Sequence, residues 1–180
     1  MKTGPAKLIV LLALVTASAL AQMETSRATR VTFAPISPVK LSRGSSSKLD
    51  LMFRVAPGYH INSNKPHSEL LIPTSLHVDM PTDISLAKID FPAGEDKTFP
   101  FSPDDALSVY TGDVSVSAML NAGKDIVPGS YRIHGYLKYQ ACDDRACYPP
   151  ARVPIAFDVQ VLKTPKPARK NPAQSPHVHS

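Results

Sequence analysis

The stretch Lys48–Val55 reads KLDLMFRV, and its alternation is the pattern that decides the fold. Leu49, Leu51, Phe53 and Val55 occupy every second position, and Asp50, Met52 and Arg54 fall between them. Successive side chains of a β-strand point to opposite faces, whereas a helix repeats every 3.6 residues. The stretch therefore predicts a strand with one buried, apolar face.

The same period of two recurs along the middle of the chain. Further strands are predicted over Thr74–Met80, Ile84–Phe91, Val114–Leu120, Tyr131–Tyr139 and Val153–Leu162. Turns are predicted at Pro57–Gly58, Asn62–Pro66, Pro81, Pro92–Gly94, Pro100–Asp105, Asn121–Gly123 and Pro128–Gly129. About seven to nine short strands without a convincing helix predict an all-β, immunoglobulin-like β-sandwich. Because proline cannot donate to a ladder, Pro154 is expected at an edge position or a bulge.

Composition is consistent with one folded domain and excludes several classes of protein. The chain has 180 residues, and a hydrophobic content of 43% is enough for a packed core. Its 18 prolines argue against an all-helical protein, since proline breaks helix interiors. Two cysteines cannot supply a dense disulfide scaffold or a four-thiolate zinc site.

The first 21 residues predict a cleaved signal peptide. An apolar run, Leu8–Leu14, follows a basic start, and Ala19-Leu20-Ala21 fits a signal-peptidase site before Gln22. A retained anchor or a lipoprotein is the alternative, but no cysteine stands at the junction to carry a lipid. The mature protein is therefore predicted to be exported, in a compartment where disulfides persist.

The last 18 residues predict a flexible tail, and their cations account for much of the net positive charge of the chain. Residues 163–180 contain four prolines, four cations, no acid and almost no apolar side chain. Such a segment cannot bury enough apolar surface to offset the entropy lost on folding. The whole chain has a formal charge of +5. Two of its 20 cations precede Gln22 and four follow Leu162, so 14 cations and all 15 acids remain in the predicted domain. That domain, residues 22–162, is near neutral at −1, which removes the argument for a nucleic-acid partner.

Both cysteines lie in Tyr139–Pro150, which reads YQACDDRACYPP, with four residues between Cys142 and Cys147. This spacing suits a disulfide that closes a tight turn. A structural bridge would contribute roughly 2 kcal/mol for a ring of about six residues, against about 4 kcal/mol for a loop of some fifty. Exposed bridges in turns are also open to attack by a thiolate. The residues alone leave the structural and redox interpretations open.

Other side chains give weaker signals. Two thiolates would need further ligands to hold a metal, and no histidine follows them within ten residues, so no metal site or cofactor is predicted. Asp143 and Asp144 are typical turn formers. The scattered histidines, His60, His67, His77 and His134 among them, are interpreted as surface residues of strands or loops.

The cysteine stretch resembles the active-site hairpin of the N-terminal periplasmic domain of the thiol:disulfide interchange protein DsbD. Two other segments, Val55–Asn62 and Leu71–Thr74, look like the early strands of that domain, and Phe99–Gly112 looks like its middle part. The resemblance covers roughly Ala28–Leu162. It implies an immunoglobulin-like fold, a periplasmic location and thiol–disulfide exchange, as a component of a thiol:disulfide oxidoreductase.

The resemblance also implies roles for individual residues. Cys147 matches the cysteine that forms the mixed disulfide with partners, and Cys142 the one that resolves it. Tyr59 and Asn62 match positions that face the hairpin, although packing against a sheet is the simpler role for a tyrosine there. An aromatic cap is implied within the stretch from Gly94 to Asp104. Its candidates are Phe99 and Phe101, for which ordinary core or turn packing is the alternative.

The implied function is to pass reducing equivalents to envelope proteins. The implied partners are thioredoxin-like proteins and a separate membrane electron carrier, because the chain contains neither the thioredoxin-like nor the membrane domain of the larger protein. The chain also departs from the best-known members of the family, which have five residues between the cysteines where this chain has four. The alternative function is a non-catalytic envelope interaction module with a structural Cys142–Cys147 disulfide, whose contact with the membrane is at most peripheral.

Overall fold

The computed structural model describes residues 29–163, and its regular elements in that range are all β-strands. The predicted signal peptide, residues 1–21, and the predicted tail beyond Lys163 lie outside the described residues. Between residues 29 and 163, no helix is long and apolar enough to cross a membrane.

Twelve strands are present in the described part of the chain. They are β1 Val31–Phe33, β2 Val39–Ser42, β3 Ser46–Val55, β4 His60–Asn62, β5 Ser75–Asp79, β6 Ile84–Asp90, β7 Glu95–Phe99, β8 Ser102–Tyr110, β9 Asp113–Ala122, β10 Gly129–Tyr139, β11 Ala141–Cys142 and β12 Ala151–Leu162. Each predicted strand corresponds to one of them, and the additional strands are mostly short.

Two four-stranded sheets form the sandwich. The first has the order β1-β3-β9-β6, and all its neighbours are antiparallel. The second has the order β2-β12-β10-β5, in which only β2 and β12 run parallel. The prediction of an all-β, immunoglobulin-like sandwich is confirmed.

The core is made by the inward faces of these two sheets. Leu49, Leu51, Phe53 and Val55 of β3 are each at most 2% exposed, as the alternation predicts. The long strand β12 supplies five buried apolar side chains to the same cluster: Val153, Ile155, Phe157, Val159 and Val161. Burying a side chain of this kind stabilises a fold by roughly 1.5–3 kcal/mol.

A third sheet, with the order β11-β4-β8-β7, positions the cysteines. Short connections run from β3 to β4, from β8 to β9 and from β10 to β11. Ile61 and Tyr110 are paired across β4 and β8, and both belong to the main core. The third sheet is therefore anchored on the sandwich, and it carries the first cysteine at its edge.

The turn predicted at Pro100–Asp105 is mostly wrong. Only residues 100 and 101 form the turn, and Ser102 already begins β8, where it pairs with Phe99 of β7. This strand begins with polar residues that show no alternation, so its signal was weak.

The expectation for Pro154 is confirmed. Pro154 pairs with Tyr136 of β10 on one side, whereas β2 pairs with β12 only at Val159–Leu162. At Pro154 the strand is therefore locally an edge, as expected for a residue without an N–H group.

A close approach of β5 to β10 gives a test of this packing. A Cβ at Gly135 would collide with the backbone oxygen of His77, whereas a Cβ at Gly129 of the same strand meets nothing within 4 Å. We expect Gly135→Ala to lower the free energy of unfolding by about 1–3 kcal/mol, because overpacking forces the backbone apart. Urea denaturation measures the change, and Gly129→Ala is the matched control. Equal stability of the two variants would contradict the close packing of β5.

Candidate functional site

The two cysteines are joined by a disulfide across a narrow hairpin. Cys142 ends β11 and forms an isolated antiparallel bridge with Cys147, and their Cα atoms are 3.9 Å apart. On its other side β11 pairs with β4, so that Ala141 faces Ile61 and Cys142 faces His60. The hairpin is thus an extension of the third sheet.

The two halves of the disulfide differ in exposure. Cys142 is fully buried at 0% exposure, whereas Cys147 is exposed. The neighbours Asp144, Arg145 and Ala146 are exposed as well. A molecule approaching from solvent therefore meets Cys147 first.

Asp143 organises the turn between the cysteines. Its Oδ1 accepts hydrogen bonds from the backbone N–H groups of Arg145 at 2.8 Å and Ala146 at 2.9 Å. Its Oδ2 accepts a 2.6 Å hydrogen bond from the Tyr148 hydroxyl. These bonds, with that from Tyr148 first, lower the pKa of Asp143 from 3.8 to about 2. The carboxylate is therefore a turn former, and Tyr148 ties it to the end of the hairpin.

Asn62 and Gln140 brace the base of the hairpin. The Asn62 Nδ2 donates to Gln140 Oε1 at 3.2 Å and to the Ile72 carbonyl at 3.0 Å. Gln140 Nε2 in turn donates to the Tyr148 carbonyl at 3.2 Å. Asn62 thus reaches the hairpin through this chain of hydrogen bonds.

Tyr59 directly precedes β4, and its ring lies against the hairpin. Its centroid is 6.0 Å from that of Tyr148, with the two ring planes tilted by 59°. Tyr59 is also partly buried against the main core. The structure thus brings Tyr59 beside the residue that follows Cys147.

His60 is buried, so its interpretation as a surface residue is wrong. It is 3% exposed, and its imidazole stacks on the Phe99 ring with a centroid separation of 3.9 Å and an interplanar angle of 17°. Phe101, which is 39% exposed, lies parallel to Phe99 at 5.5 Å. Phe99 therefore covers His60, which pairs directly with Cys142, and Phe101 extends the aromatic stack toward solvent.

Sequence reasoning missed His60 as a buried residue beside the cysteine hairpin. The signal available was its position two residues before Asn62, which places both side chains on one face of a strand. The other histidines behave differently: His67 pairs with Asp96 at 2.7 Å, and His134 is exposed on β10. Within the described range, no three His, Cys, Asp or Glu side chains are grouped to hold a metal ion.

The sequence matches the family described as "Thiol:disulfide interchange protein DsbD, N-terminal" over residues 29–158. The chain belongs to this family. The match includes the cysteine hairpin and nearly all of the described strands of this DsbD N-terminal domain. No curated protein matches the sequence.

Solved structures also match. The Neisseria meningitidis DsbD N-terminal domain in the reduced form is 26% identical, with 62% of this chain and 74% of that chain covered and a TM-score of 0.40. A type I cohesin from Pseudobacteroides cellulosolvens is 10% identical, with coverages of 78% and 97% and a TM-score of 0.48. A PapD-like domain of human CEP192 is 11% identical, with coverages of 76% and 87% and a TM-score of 0.38. The family assignment rests on the sequence match.

The bonds of Asp143 give a testable pH dependence. Asp143→Ala removes the acceptor of two backbone N–H groups, so we expect faster amide hydrogen exchange at Arg145 and Ala146. Because its pKa is lowered to about 2, the Asp143 contribution is complete above about pH 4 and is lost between about pH 4 and pH 2.

Asp144→Ala is the matched control, since Asp144 is the exposed neighbour. It should leave both amide exchange rates close to those of the parent protein. Carbon-13 NMR should show the Asp143 carboxyl titrating with a midpoint near pH 2. A midpoint near pH 4, with unchanged amide exchange in Asp143→Ala, would contradict the role given to Asp143.

Proposed function

We propose that this DsbD N-terminal domain is a thiol–disulfide exchange module that passes reducing equivalents to proteins of the periplasm. The observation that carries the proposal is the Cys142–Cys147 disulfide with one exposed and one buried cysteine. Thiol–disulfide exchange needs a sulfur that a partner can reach in line, and a second sulfur held close enough to displace that partner.

The reaction proceeds in two exchanges from the reduced domain. The Cys147 thiolate attacks a partner disulfide, so that a Cys147–partner S–S bond forms, the partner's own S–S bond breaks and one partner thiolate leaves. The Cys142 thiolate then attacks the Cys147 sulfur, forming the internal disulfide and releasing the second partner sulfur as a thiolate. Two electrons pass to the partner, and the two thiolates take up protons.

The difference in burial supports this division of roles. Cys147 is exposed on the outer limb of the hairpin, and Cys142 lies on β11 against the rest of the third sheet. A buried thiol is shielded from solution disulfides but stands beside its bridged partner. Cys147 therefore suits first attack, and Cys142 suits resolution.

The hairpin keeps much of its support when the bridge opens. Asp143, Gln140 and Asn62 hold its turn and base through hydrogen bonds that do not involve sulfur. A bridge closing a ring of about six residues contributes only about 2 kcal/mol by loop entropy. Repeated opening and closing is thus compatible with an intact fold.

The partners fit the same chemistry. Thioredoxin-like proteins present a reactive cysteine pair, and they are the class we propose as electron donor and acceptor. A separate membrane electron carrier is proposed to reduce the thioredoxin-like donor. The stacked pair Phe99 and Phe101 is proposed as a cap that limits access to the cysteine side, and Tyr59 as a wall of the same site.

Single-cysteine variants test the two roles. Reduced Cys142→Ala should react with oxidised glutathione and accumulate a stable mixed disulfide on Cys147, because no second thiol is present to resolve it. Cys147→Ala is the matched control, and its buried Cys142 should react at least about tenfold more slowly. Mass spectrometry follows both adducts. Faster reaction of Cys147→Ala would reverse the assigned roles.

The reduction potential separates exchange from a structural bridge. We expect equilibration of the mature protein with glutathione buffers to give a value above about −300 mV. A value well below that limit would mean that the bridge stays closed in the periplasm. The chain would then be a non-catalytic interaction module with a structural disulfide.

A further inference from the structure

One buried nitrogen near the disulfide has no hydrogen-bond partner. The Nε2 atom of His60 is shielded from solvent, and no protein group in the described structure bonds to it. Buried polar atoms are normally paired, because an unpaired one loses the hydrogen bonds that water gave it. The unpaired Nε2 therefore calls for a partner that is missing in the disulfide form.

The surroundings of His60 identify that partner. The Phe99 ring covers the imidazole on one side at 3.9 Å. On the neighbouring strand Cys142 lies directly opposite His60 in an antiparallel pair. Residues opposite each other in such a pair project to the same face, with Cβ atoms about 4.5–5.5 Å apart. A disulfide sulfur has no proton to donate, whereas a Cys142 thiol would have one.

The charges around the ring leave its nitrogen able to accept a proton. Burial lowers the pKa of His60 from its ordinary value of 6.5, and Lys97 on β7 lowers it further. Asp144 and Asp143 of the hairpin raise the pKa, but by less than burial lowers it. Lys97 is itself paired with Glu95 at 2.7 Å. The imidazole is therefore neutral at pH 7, with one nitrogen unprotonated.

We propose that His60 accepts the proton of the Cys142 thiol when the reduced domain closes its disulfide. The inference rests on the exchange function proposed above and assigns a residue to its second step. It explains why a buried imidazole lies beside the buried cysteine, and why its Nε2 is unpaired when the disulfide is already closed.

The Cys142 proton leaves while its sulfur attacks. The Cys142 S–H bond breaks and the proton moves to His60 Nε2, as the Cys142 sulfur attacks the Cys147 sulfur of the mixed disulfide. The Cys142–Cys147 bond forms, the Cys147–partner bond breaks, and His60 becomes an imidazolium. The departing partner thiolate, or water, takes the proton and returns His60 to its neutral form.

Burial makes such help useful for Cys142. An ordinary thiol with a pKa of about 8.5 is only about 3% ionised at pH 7, and burial raises the pKa of a thiol. A neighbouring base that takes the proton during the attack therefore lets the un-ionised majority of Cys142 react. The exposed Cys147 has less need of this assistance.

Two-step reaction with 5,5′-dithiobis(2-nitrobenzoate) tests the proposal on the reduced mature protein. The first thionitrobenzoate ion is released when Cys147 attacks, and the second when Cys142 resolves the adduct, so one absorbance trace reports both steps. His60→Phe keeps a ring to stack on Phe99 but removes the proton acceptor. We expect its second phase to be at least about tenfold slower at pH 7, with the first phase changed by less than about twofold.

The pH profile separates proton transfer from a merely structural role. In the parent protein the second phase should be nearly independent of pH from about 7 to 8.5, and should fall as His60 is protonated at a pH below 6.5. In His60→Phe the rate should rise about tenfold per pH unit, because only spontaneously ionised thiol reacts, so that the difference from the parent closes near pH 9. Slowing by the same factor at every pH would overturn the proposal.

Further variants, and an NMR measurement on the parent protein, test whether misfolding of His60→Phe could explain a slower second phase. His134→Phe changes an exposed histidine on β10 and should leave both phases unchanged. His60→Gln keeps a polar side chain but cannot carry the proton, so it should behave like His60→Phe. In the parent protein, NMR should find different pKa values for His60 in the oxidised and reduced forms. Identical values in the two forms would overturn the proposal without any substitution.

The same trace distinguishes the failure of this step from failure of the proposed function. If the parent protein releases only one thionitrobenzoate per molecule, Cys142 does not close the disulfide and the exchange function fails. If the parent releases two, and His60→Phe and His60→Gln do so equally fast, the exchange function stands and the role of His60 fails.

Discussion

The pairing of β10 with β12 is the constraint on which the rest of the site depends. The ladder runs without a break from Gly129↔Val161 to Tyr139↔Ala151. Because Tyr139 and Ala151 are paired at the end of this ladder, the segment between them must leave the sheet and return to the same place. That segment contains both cysteines. The core of the sandwich therefore sets the geometry of the hairpin, and the disulfide adds to a turn that other forces already close.

The apolar alternation made the sandwich predictable, and long-range contacts made the site harder to predict. The burial of Leu49 and Phe53 can be predicted from the local alternation of apolar residues alone. His60 does not, because its burial is produced by Phe99 and Cys142, which are distant in sequence and meet it only after the four strands of the third sheet assemble. The cysteines themselves were found from their spacing, because a covalent pair in a tight turn is a local feature. The turn around residues 100–105 was misplaced because its strand residues are polar.

Hydrogen bonding rather than net charge shapes the hairpin. Asp143 is an acid next to a cysteine, and it would disfavour a thiolate through space. Its carboxylate, however, is occupied by two backbone N–H groups and the Tyr148 hydroxyl. Its main effect is therefore to fix the backbone that separates the sulfur atoms. This agrees with a near-neutral domain, in which contacts of a few side chains matter more than a long-range field.

The unequal burial of the two cysteines has a cost as well as a use. Burial protects Cys142 from unrelated disulfides, but it also disfavours the thiolate that resolution requires. A domain that relied on burial alone would form mixed disulfides more easily than it released them. A neutral imidazole at the position directly opposite Cys142 removes this conflict, because it can take the proton without placing a permanent charge in the buried site. The aromatic cover over that imidazole then has a chemical reason: by excluding water, Phe99 keeps the imidazole neutral and its nitrogen available to the thiol.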